Sequence, residues 1–90
     1  MNKPPPPTAA TIAYKEAGLH LQLEMGISYT GDSDADFTSL LLAYGKGTAA
    51  LARIALEHGK DPEIRRIAQH VLESETKQAE RLQAWRAAHP

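Results

Sequence analysis

The sequence contains no cysteine, so neither a disulfide nor a thiolate metal cage can stabilise the fold. It also lacks an excess of either charge, because ten basic and eleven acidic side chains give a formal net charge of −1. A balanced chain offers no electrostatic footprint for nucleic acid and no polybasic patch for a membrane surface. Aromatic side chains make up only 6% of the residues, which argues further against a base-stacking platform.

Long apolar runs are also missing. No stretch approaches the roughly 18 consecutive apolar residues of a membrane-spanning helix, so we expect no membrane span. The N-terminal stretch "MNKPPPPTAA" lacks the apolar core of a signal peptide. The composition alone therefore does not specify a compartment.

Ninety residues are enough for one small domain. A chain of this size buries only about 60–65% of its unfolded surface, so its core is thin, and long helix packing or a partner subunit must add stability. Pro4–Pro7 favour an extended, solvated backbone. We expect residues 1–7 to be a proline-rich disordered tail and residues 8–90 to form a single helical domain.

The apolar periodicity predicts three helices and no strand. Helix 1 is predicted over Ala9–Ile27 with Thr8 as its N-cap, and two adjacent apolar stripes give it a wide buried face. The first stripe holds Ile12, Glu16, Leu19, Leu23 and Ile27, and the second holds Tyr14, Ala17, Leu21 and Met25.

Helix 2 is predicted to start at Asp32 or Ser33 and to end at His58, before a glycine. Helix 3 follows "KDPEIRR", with Asp61 as the cap and Pro62 in the first turn, and continues to about Ala88. The short joint makes these two helices antiparallel. We therefore predict an all-α, antiparallel three-helix bundle with a long helix 2–helix 3 hairpin, across which helix 1 packs.

Two polar interruptions fall at one level of the predicted hairpin. Helix 2 contains Gly45-Lys46-Gly47, although a glycine inside a helix costs about 1 kcal/mol relative to alanine. Helix 3 places Glu75 in the middle of its apolar stripe, with Gln78 beside it. Counting outward from the turn brings Glu75 level with Ala43 to Lys46, and this coincidence indicates a site.

The sequence resembles the exported, ferritin-like helical proteins called domain of unknown function 305. The resemblance spans residues 12–90 and depends on "YTGDSDADF" at Tyr29–Phe37, on "ARIALEHGKDPEIRRIA" at Ala52–Ala68, and on Trp85 with the closing "HP". It implies a ferritin-like fold, a periplasmic or secreted location, and descent from proteins of which some carry copper.

The family's methionines, histidines, glutamine and glutamate have mostly been substituted at the positions that the resemblance aligns. Those positions hold Leu21, Gln22 and Met25 on helix 1, Leu41, Tyr44, Gly45, Lys46 and Leu51 on helix 2, and Glu75, Gln78 and Leu82 on helix 3. Copper(I) prefers thioether or thiolate donors, and divalent ions favour imidazole. Because the imidazoles and all but one thioether are missing together, the resemblance implies that the metal site has been lost.

A polar cluster is one hypothesis for what replaced that site. Gln22, Tyr44, Glu75 and Gln78 would form a hydrogen-bonded layer, since buried polar groups need partners, and Lys46 would neutralise Glu75. The alternative is that Lys46 and Glu75 lie at the edge of the bundle with their charged ends in water.

Residual metal binding is the second hypothesis. His20 and Glu24 are four residues apart on one helix face, and Met25 lies close to them. Such a set predicts, at most, weak copper or divalent-ion binding. A surface position for His20 is the simpler interpretation, because such pairs are common on exposed helices.

Catalysis finds little support in the sequence. There is no cysteine nucleophile, and no serine, histidine and acid that three helices would bring together. We therefore expect no enzyme, no catalytic residues and no cofactor, with copper as the alternative. The expected function is a scaffold or interaction subunit with an unknown protein partner. A homodimer is expected because the hairpin is longer than helix 1 and leaves apolar surface uncovered.

Overall fold

The computed structural model describes residues 8–90, which form three α-helices: α1 (Ala9–Glu24), α2 (Ser33–His58) and α3 (Pro62–Ala88). These residues contain no strand. The predicted all-α class, with three antiparallel helices and a long α2–α3 hairpin, is confirmed. The tail predicted for residues 1–7 lies outside the described residues.

The first helix begins where the sequence predicts and ends earlier. The Thr8 side chain accepts a hydrogen bond from the Thr11 backbone N–H, as an N-cap does. The helix stops at Glu24 rather than Ile27, and the Gly26 N–H bonds to the Leu23 carbonyl in a tighter turn. Glycine is a poor helix former, so it ends α1 although the apolar pattern continues to Ile27.

The hairpin begins and ends at the predicted residues. Asp61 caps α3 by accepting hydrogen bonds from the next two available N–H groups, and Pro62 occupies the first helical position. The Arg65 guanidinium then reaches back and donates to the carbonyls of Leu56 and Gly59. It thereby satisfies carbonyls at the end of α2 that have no partner within the helix. Side chains of Asp61 and Arg65 therefore hold the turn between the two long helices by hydrogen bonds to the start of α3 and to the end of α2.

Helix α2 lies between α1 and α3. Leu21 of α1 lies against Gly47, whereas Glu75 of α3 lies against Gly45. Residues two apart on a helix are separated by about 200° around its axis, so α1 and α3 flank α2 on opposite sides. Helices α1 and α3 do not contact each other. The expectation that helix 1 crosses the hairpin is therefore wrong, because α1 packs on α2 alone.

The resulting molecule is flat. Its principal dimensions are 54 × 28 × 16 Å. Its radius of gyration is 16.1 Å, whereas a compact chain of this length has about 12 Å. No helix in residues 8–90 is long and apolar enough to cross a bilayer.

The core contains only small side chains. No large side chain among the described residues is fully buried. The buried apolar residues are Ala43, Ala49, Ala52 and Ala68. The large apolar side chains that stay exposed are Ile12, Tyr14, Leu19, Leu23, Tyr29, Phe37, Tyr44, Leu51, Ile64 and Ile67. The two helices of the hairpin approach closely at these small residues, and larger side chains such as Leu42, Leu56 and Leu72 are partly buried around them.

Only one of the two predicted apolar stripes of α1 faces another helix. The stripe with Leu21 packs on α2, and the other stripe lies on the outer edge of the layer. Ile12, Leu19 and Leu23 on that edge are 50%, 56% and 70% exposed. The wide buried face predicted for helix 1 is therefore wrong. A helix with a single neighbour buries a single stripe.

The connection between α1 and α2 is organised by Asp36. Its carboxylate accepts hydrogen bonds from the Thr30 N–H and the Thr30 hydroxyl, both at 2.9 Å, and from the Gly31 N–H at 3.3 Å. The Thr30 N–H is the largest cause that lowers the pKa of Asp36; desolvation opposes it, and the Thr30 hydroxyl and the Gly31 N–H lower the pKa further. Asp36 of the "TGDSDADF" motif thus fixes the α1–α2 loop to the first turn of α2 by hydrogen bonds.

Asp36→Asn is expected to destabilise the protein at neutral pH and to lose that effect in acid. The lowered pKa means that ionised Asp36 stabilises the fold above the unfolded value of about 3.9, and this stabilisation disappears as pH falls through the folded value. Urea unfolding of the wild type and the variant at pH 7 and pH 3 measures the difference. Asp34→Asn is the control, and a difference as large at pH 3 as at pH 7 would contradict the assignment.

Candidate functional site

The α2–α3 pair carries a groove on each side of the layer, and the two grooves differ in chemistry. One, the apolar groove, is lined by large apolar side chains together with the charged residues Asp34, Lys77 and Arg81. Its apolar residues are Phe37, Leu41, Leu82 and Trp85. Its remaining polar residues are Thr38, Ser74 and Gln78. Within residues 8–90, no residue lines both grooves.

The second groove, the charged groove, is bounded by α2, α3 and the end of α1. Its ionisable residues are Glu24, Lys46, Arg53, Glu75, Glu80 and Arg86. The Arg86 guanidinium crosses it and donates to the Ser39 hydroxyl at 3.1 Å. The charges of the two signs are interspersed, so the groove has no strong preference for an anion or a cation.

Gly45 makes room for Glu75. A β-carbon at position 45 would stand 2.6 Å from Glu75 Oε2, so the carboxylate lies directly over the α2 backbone. Glu75 is half-buried. In residues 8–90, no buried side-chain nitrogen or oxygen lacks a hydrogen-bond partner, which means that neither carboxylate oxygen is sealed away from water unpaired. The prediction that Glu75 lies level with residues Ala43 to Lys46 of helix 2 is confirmed.

Gly47 makes room for α1. A β-carbon there would meet Leu21 Cδ1 at 2.5 Å, Cγ at 3.1 Å and Cβ at 3.2 Å. All three distances are shorter than ordinary carbon–carbon contact, which lies at about 3.5–4.0 Å. The two glycines that interrupt α2 therefore serve two different helix contacts on opposite sides.

Lys46 pairs with Glu24 rather than with Glu75. Lys46 Nζ lies 3.4 Å from Glu24 Oε1, and both side chains are largely exposed. An exposed pair of this kind contributes about 0–1 kcal/mol. Lys46 and Glu75 line the same charged groove without an ion pair between them. The hypothesis that Lys46 neutralises Glu75 is therefore wrong in this structure.

The predicted polar cluster is divided between the two sides of the layer. Gln78 lines the apolar groove, whereas Glu75 lines the charged groove. Tyr44 is 52% exposed and Gln22 is exposed. Tyr44 and Lys46 are two residues apart, so their side chains leave α2 about 200° from each other. Because these residues lie on different sides of the layer, they do not form one hydrogen-bonded layer, and Lys46 instead donates to Glu24.

The residues of the metal hypothesis lie at the end of α1. His20 and Glu24 are exposed, and the Glu24 carboxylate accepts its hydrogen bond from Lys46. Met25 is half-buried at the C-cap of α1. Across residues 8–90, no three or more histidine, aspartate or glutamate side chains converge in a way that could hold a metal ion.

Arg53 and Arg86 were not singled out from the sequence, although both line the charged groove. Arg53 lies seven residues after Lys46, or two turns of the same helix face. The sequence alone therefore indicates that Lys46 and Arg53 lie on the same face of α2. Arg86 reaches the groove only through the hairpin register, which the linear sequence does not display.

The fold and its grooves define a small all-α protein whose α2–α3 pair presents one apolar side and one charged side. A family model described as "Domain of unknown function (DUF305)" matches residues 22–89, which include the Asp36 loop and the whole hairpin. The chain belongs to this family. A comparison with curated proteins gave no match.

Proposed function

We propose that this protein is a non-catalytic, metal-free helical interaction or scaffold subunit, and that it acts as a homodimer. One observation carries the proposal: large apolar side chains remain exposed on a molecule whose own buried core is made of alanines. Association with another subunit is one way in which a small domain without disulfides or metals gains stability. A surface that must be covered is the working part of an interaction subunit.

The absence of catalysis is part of this proposal. Glu75 lines the charged groove, whereas Tyr44 is exposed outside that groove, so the two side chains do not form an acid–base pair. A general acid and base must lie within hydrogen-bond reach of the same substrate proton. The charged groove is open and holds both signs of charge, which suits solvation better than transition-state stabilisation.

The family resemblance supports the remaining parts of the proposal. It implies a periplasmic or secreted location and a ferritin-like origin, with a copper site whose ligands have been replaced. Under this proposal Gly45, Tyr44 and Lys46 no longer serve a metal, and Gly45 instead admits the Glu75 carboxylate. No cofactor is required.

Sedimentation and elemental analysis test this function together. We expect the purified protein to sediment at micromolar concentration as a dimer of the 9.8 kDa chain. We also expect no stoichiometric metal after incubation with copper followed by desalting. A monomer under these conditions would contradict the homodimer, and one tightly held copper per chain would contradict the metal-free proposal.

The alternative function is weak copper or divalent-ion handling by His20, Glu24 and Met25. The four-residue spacing of His20 and Glu24 on the exposed side of α1 is the feature that favours it. If metal is retained, His20→Ala must abolish it, and Glu24→Gln must weaken it. Retention that survives His20→Ala would place the metal elsewhere.

A further inference from the structure

We infer that the second copy seats on the apolar side of the α2–α3 hairpin, turned end over end, so that two hairpins close a four-helix bundle. This apolar face contains Phe37, Leu41, Tyr44, Ile67, Leu82 and Trp85. The inference rests on the proposed homodimer and specifies its surface and orientation.

The apolar face is continuous along both helices. Phe37, Leu41, Leu82 and Trp85 line its groove near the open end of the hairpin. Helical spacing continues the face from Phe37 to Tyr44, which lies seven residues later, and from Leu82 back toward Ile67. Phe37, Tyr44 and Ile67 are between one half and two thirds exposed. The opposite side of the same helix pair is the charged groove, so only one side suits an apolar partner.

The size of the face matches a stable interface. Helices of 26 and 27 residues are each about 39–40 Å long. With axes about 8–10 Å apart and a diameter of about 10 Å for each helix, the pair is about 18–20 Å wide, which gives a face of roughly 700–800 Å². Stable interfaces bury about 800 Å² on each partner. The exposed stripe of α1 is one helix wide and about 24 Å long, so it offers well under half of that area.

A second copy is the partner that the core requires. The fully buried apolar residues are alanines, and the larger apolar side chains of the hairpin are at most partly buried in one chain, so covering the apolar face adds apolar burial that offsets conformational entropy. A second copy is present wherever the chain is made, so it can supply this cover without another partner. Obligate homodimers solve this problem in the same way.

Charges on the edge of α3 determine the orientation. Glu63 and Arg81 are eighteen residues apart, or five turns, so they lie on the same edge of α3 near opposite ends. End-over-end packing stacks α3 antiparallel on the same helix of the second copy and brings Arg81 to the partner's Glu63, twice by symmetry. Glu63 already accepts a hydrogen bond from Arg66 at 2.6 Å, and its carboxylate can accept further bonds.

The apolar ends complement each other in the same orientation. The centre of the pairing falls near Leu72 on α3, midway between Glu63 and Arg81. Trp85 and Phe37, at the open end of one hairpin, then lie over the turn end of the other, where Ile64 and Ile67 are about half exposed. The alternative, with the two hairpins pointing the same way, stacks the aromatic ends on each other and keeps Arg81 at the opposite end of the dimer from the second copy's Glu63.

Matched glutamate substitutions test the surface. Phe37→Glu and Tyr44→Glu place a carboxylate on the apolar face, at side chains that are 60% and 52% exposed in the monomer. Leu19→Glu is the control, because Leu19 is 56% exposed on the outer edge of α1. We expect each face variant to raise the dimer Kd at least about 100-fold and the control to change it less than about threefold, measured by sedimentation equilibrium.

A charge swap tests the orientation and does not depend on apolar residues. Arg81→Glu and Glu63→Arg are each expected to raise the dimer Kd about tenfold, and the double variant is expected to return to within about threefold of the wild type. If the dimer Kd of the double variant is raised by the product of the two single effects, about 100-fold, the end-over-end arrangement is wrong.

The outcomes separate this inference from the proposed function. If the wild type is dimeric but only Leu19→Glu dissociates it, the surface assigned here is wrong and the homodimer stands. If the wild type is monomeric, both are wrong. If the face variants lose helical circular dichroism at the concentrations at which they dissociate, folding and association are coupled, as the inference requires.

Discussion

Gly47→Ala is expected to destabilise the protein by up to about 2 kcal/mol, although alanine is the better helix former. The new β-carbon would lie 2.5–3.2 Å from three carbons of Leu21, including its Cβ, which is fixed to the α1 backbone. Overpacking of this kind costs about 1–3 kcal/mol and outweighs the helix gain of about 1 kcal/mol. Helix α1 must therefore move away from α2.

The same substitution at Gly45 is expected to stabilise the protein by up to about 1 kcal/mol. Its β-carbon would meet only Glu75 Oε2 at 2.6 Å and Cδ at 3.7 Å, which are the far end of a flexible side chain. The Glu75 carboxylate can rotate toward the charged groove at little cost. The two glycines, two residues apart, should thus respond to alanine with opposite signs.

Urea unfolding of both variants measures this pair of effects. The Leu21→Ala background provides the matched control, because removing the Leu21 side chain beyond Cβ should relieve much of the penalty of Gly47→Ala. Equal effects at the two positions, or no relief in the Leu21→Ala background, would contradict the assignment of Gly47 to α1 and Gly45 to Glu75.

Ala68→Leu is expected to destabilise the protein by about 3 kcal/mol, the upper end of the range for added core methylenes. Ala68 is buried, and the register that sets Gly45 against Glu75 brings Ala68 level with the buried Ala52. The helices cannot separate freely at this point, because a three-residue turn and the Arg65 hydrogen bonds hold them together.

Ala84→Leu is the control for Ala68→Leu, since it makes the same change at an exposed position of α3. Leucine and alanine differ little in helix propensity, so we expect Ala84→Leu to stay within about 0.5 kcal/mol of the wild type. Thermal and urea unfolding compare the two variants. A tolerated leucine at position 68 would show that α2 and α3 do not approach closely there.

The sequence predicted the hairpin well because its signals are local. Asp61 and Pro62 encode the start of α3 directly, and the short joint requires an antiparallel pair. The level of Glu75 against α2 also followed from counting residues along two regular helices. Each of these inferences needed only rise per residue and capping chemistry.

The site was predicted less well because direction around the helix matters as much as level. Tyr44 and Lys46 lie level with Glu75 along the helix axis. Their side chains leave α2 about 200° apart, however, so they lie on opposite sides of the layer. The apolar stripe of α1 with Leu19 and Leu23 was likewise visible in the sequence. Periodicity shows that a face is apolar and does not show what covers it, so the exposure of that stripe could not be predicted.

The attachment of α1 to a single neighbour makes the domain energetically uneven. A helix that touches only α2 can detach as a subglobal opening while the capped hairpin stays folded. The Leu21–Gly47 contact then governs how tightly α1 docks, and Asp36 governs how the loop returns it to place. In this protein the α2–α3 hairpin is expected to open last, and α1, which is attached along one side of α2, is expected to open first.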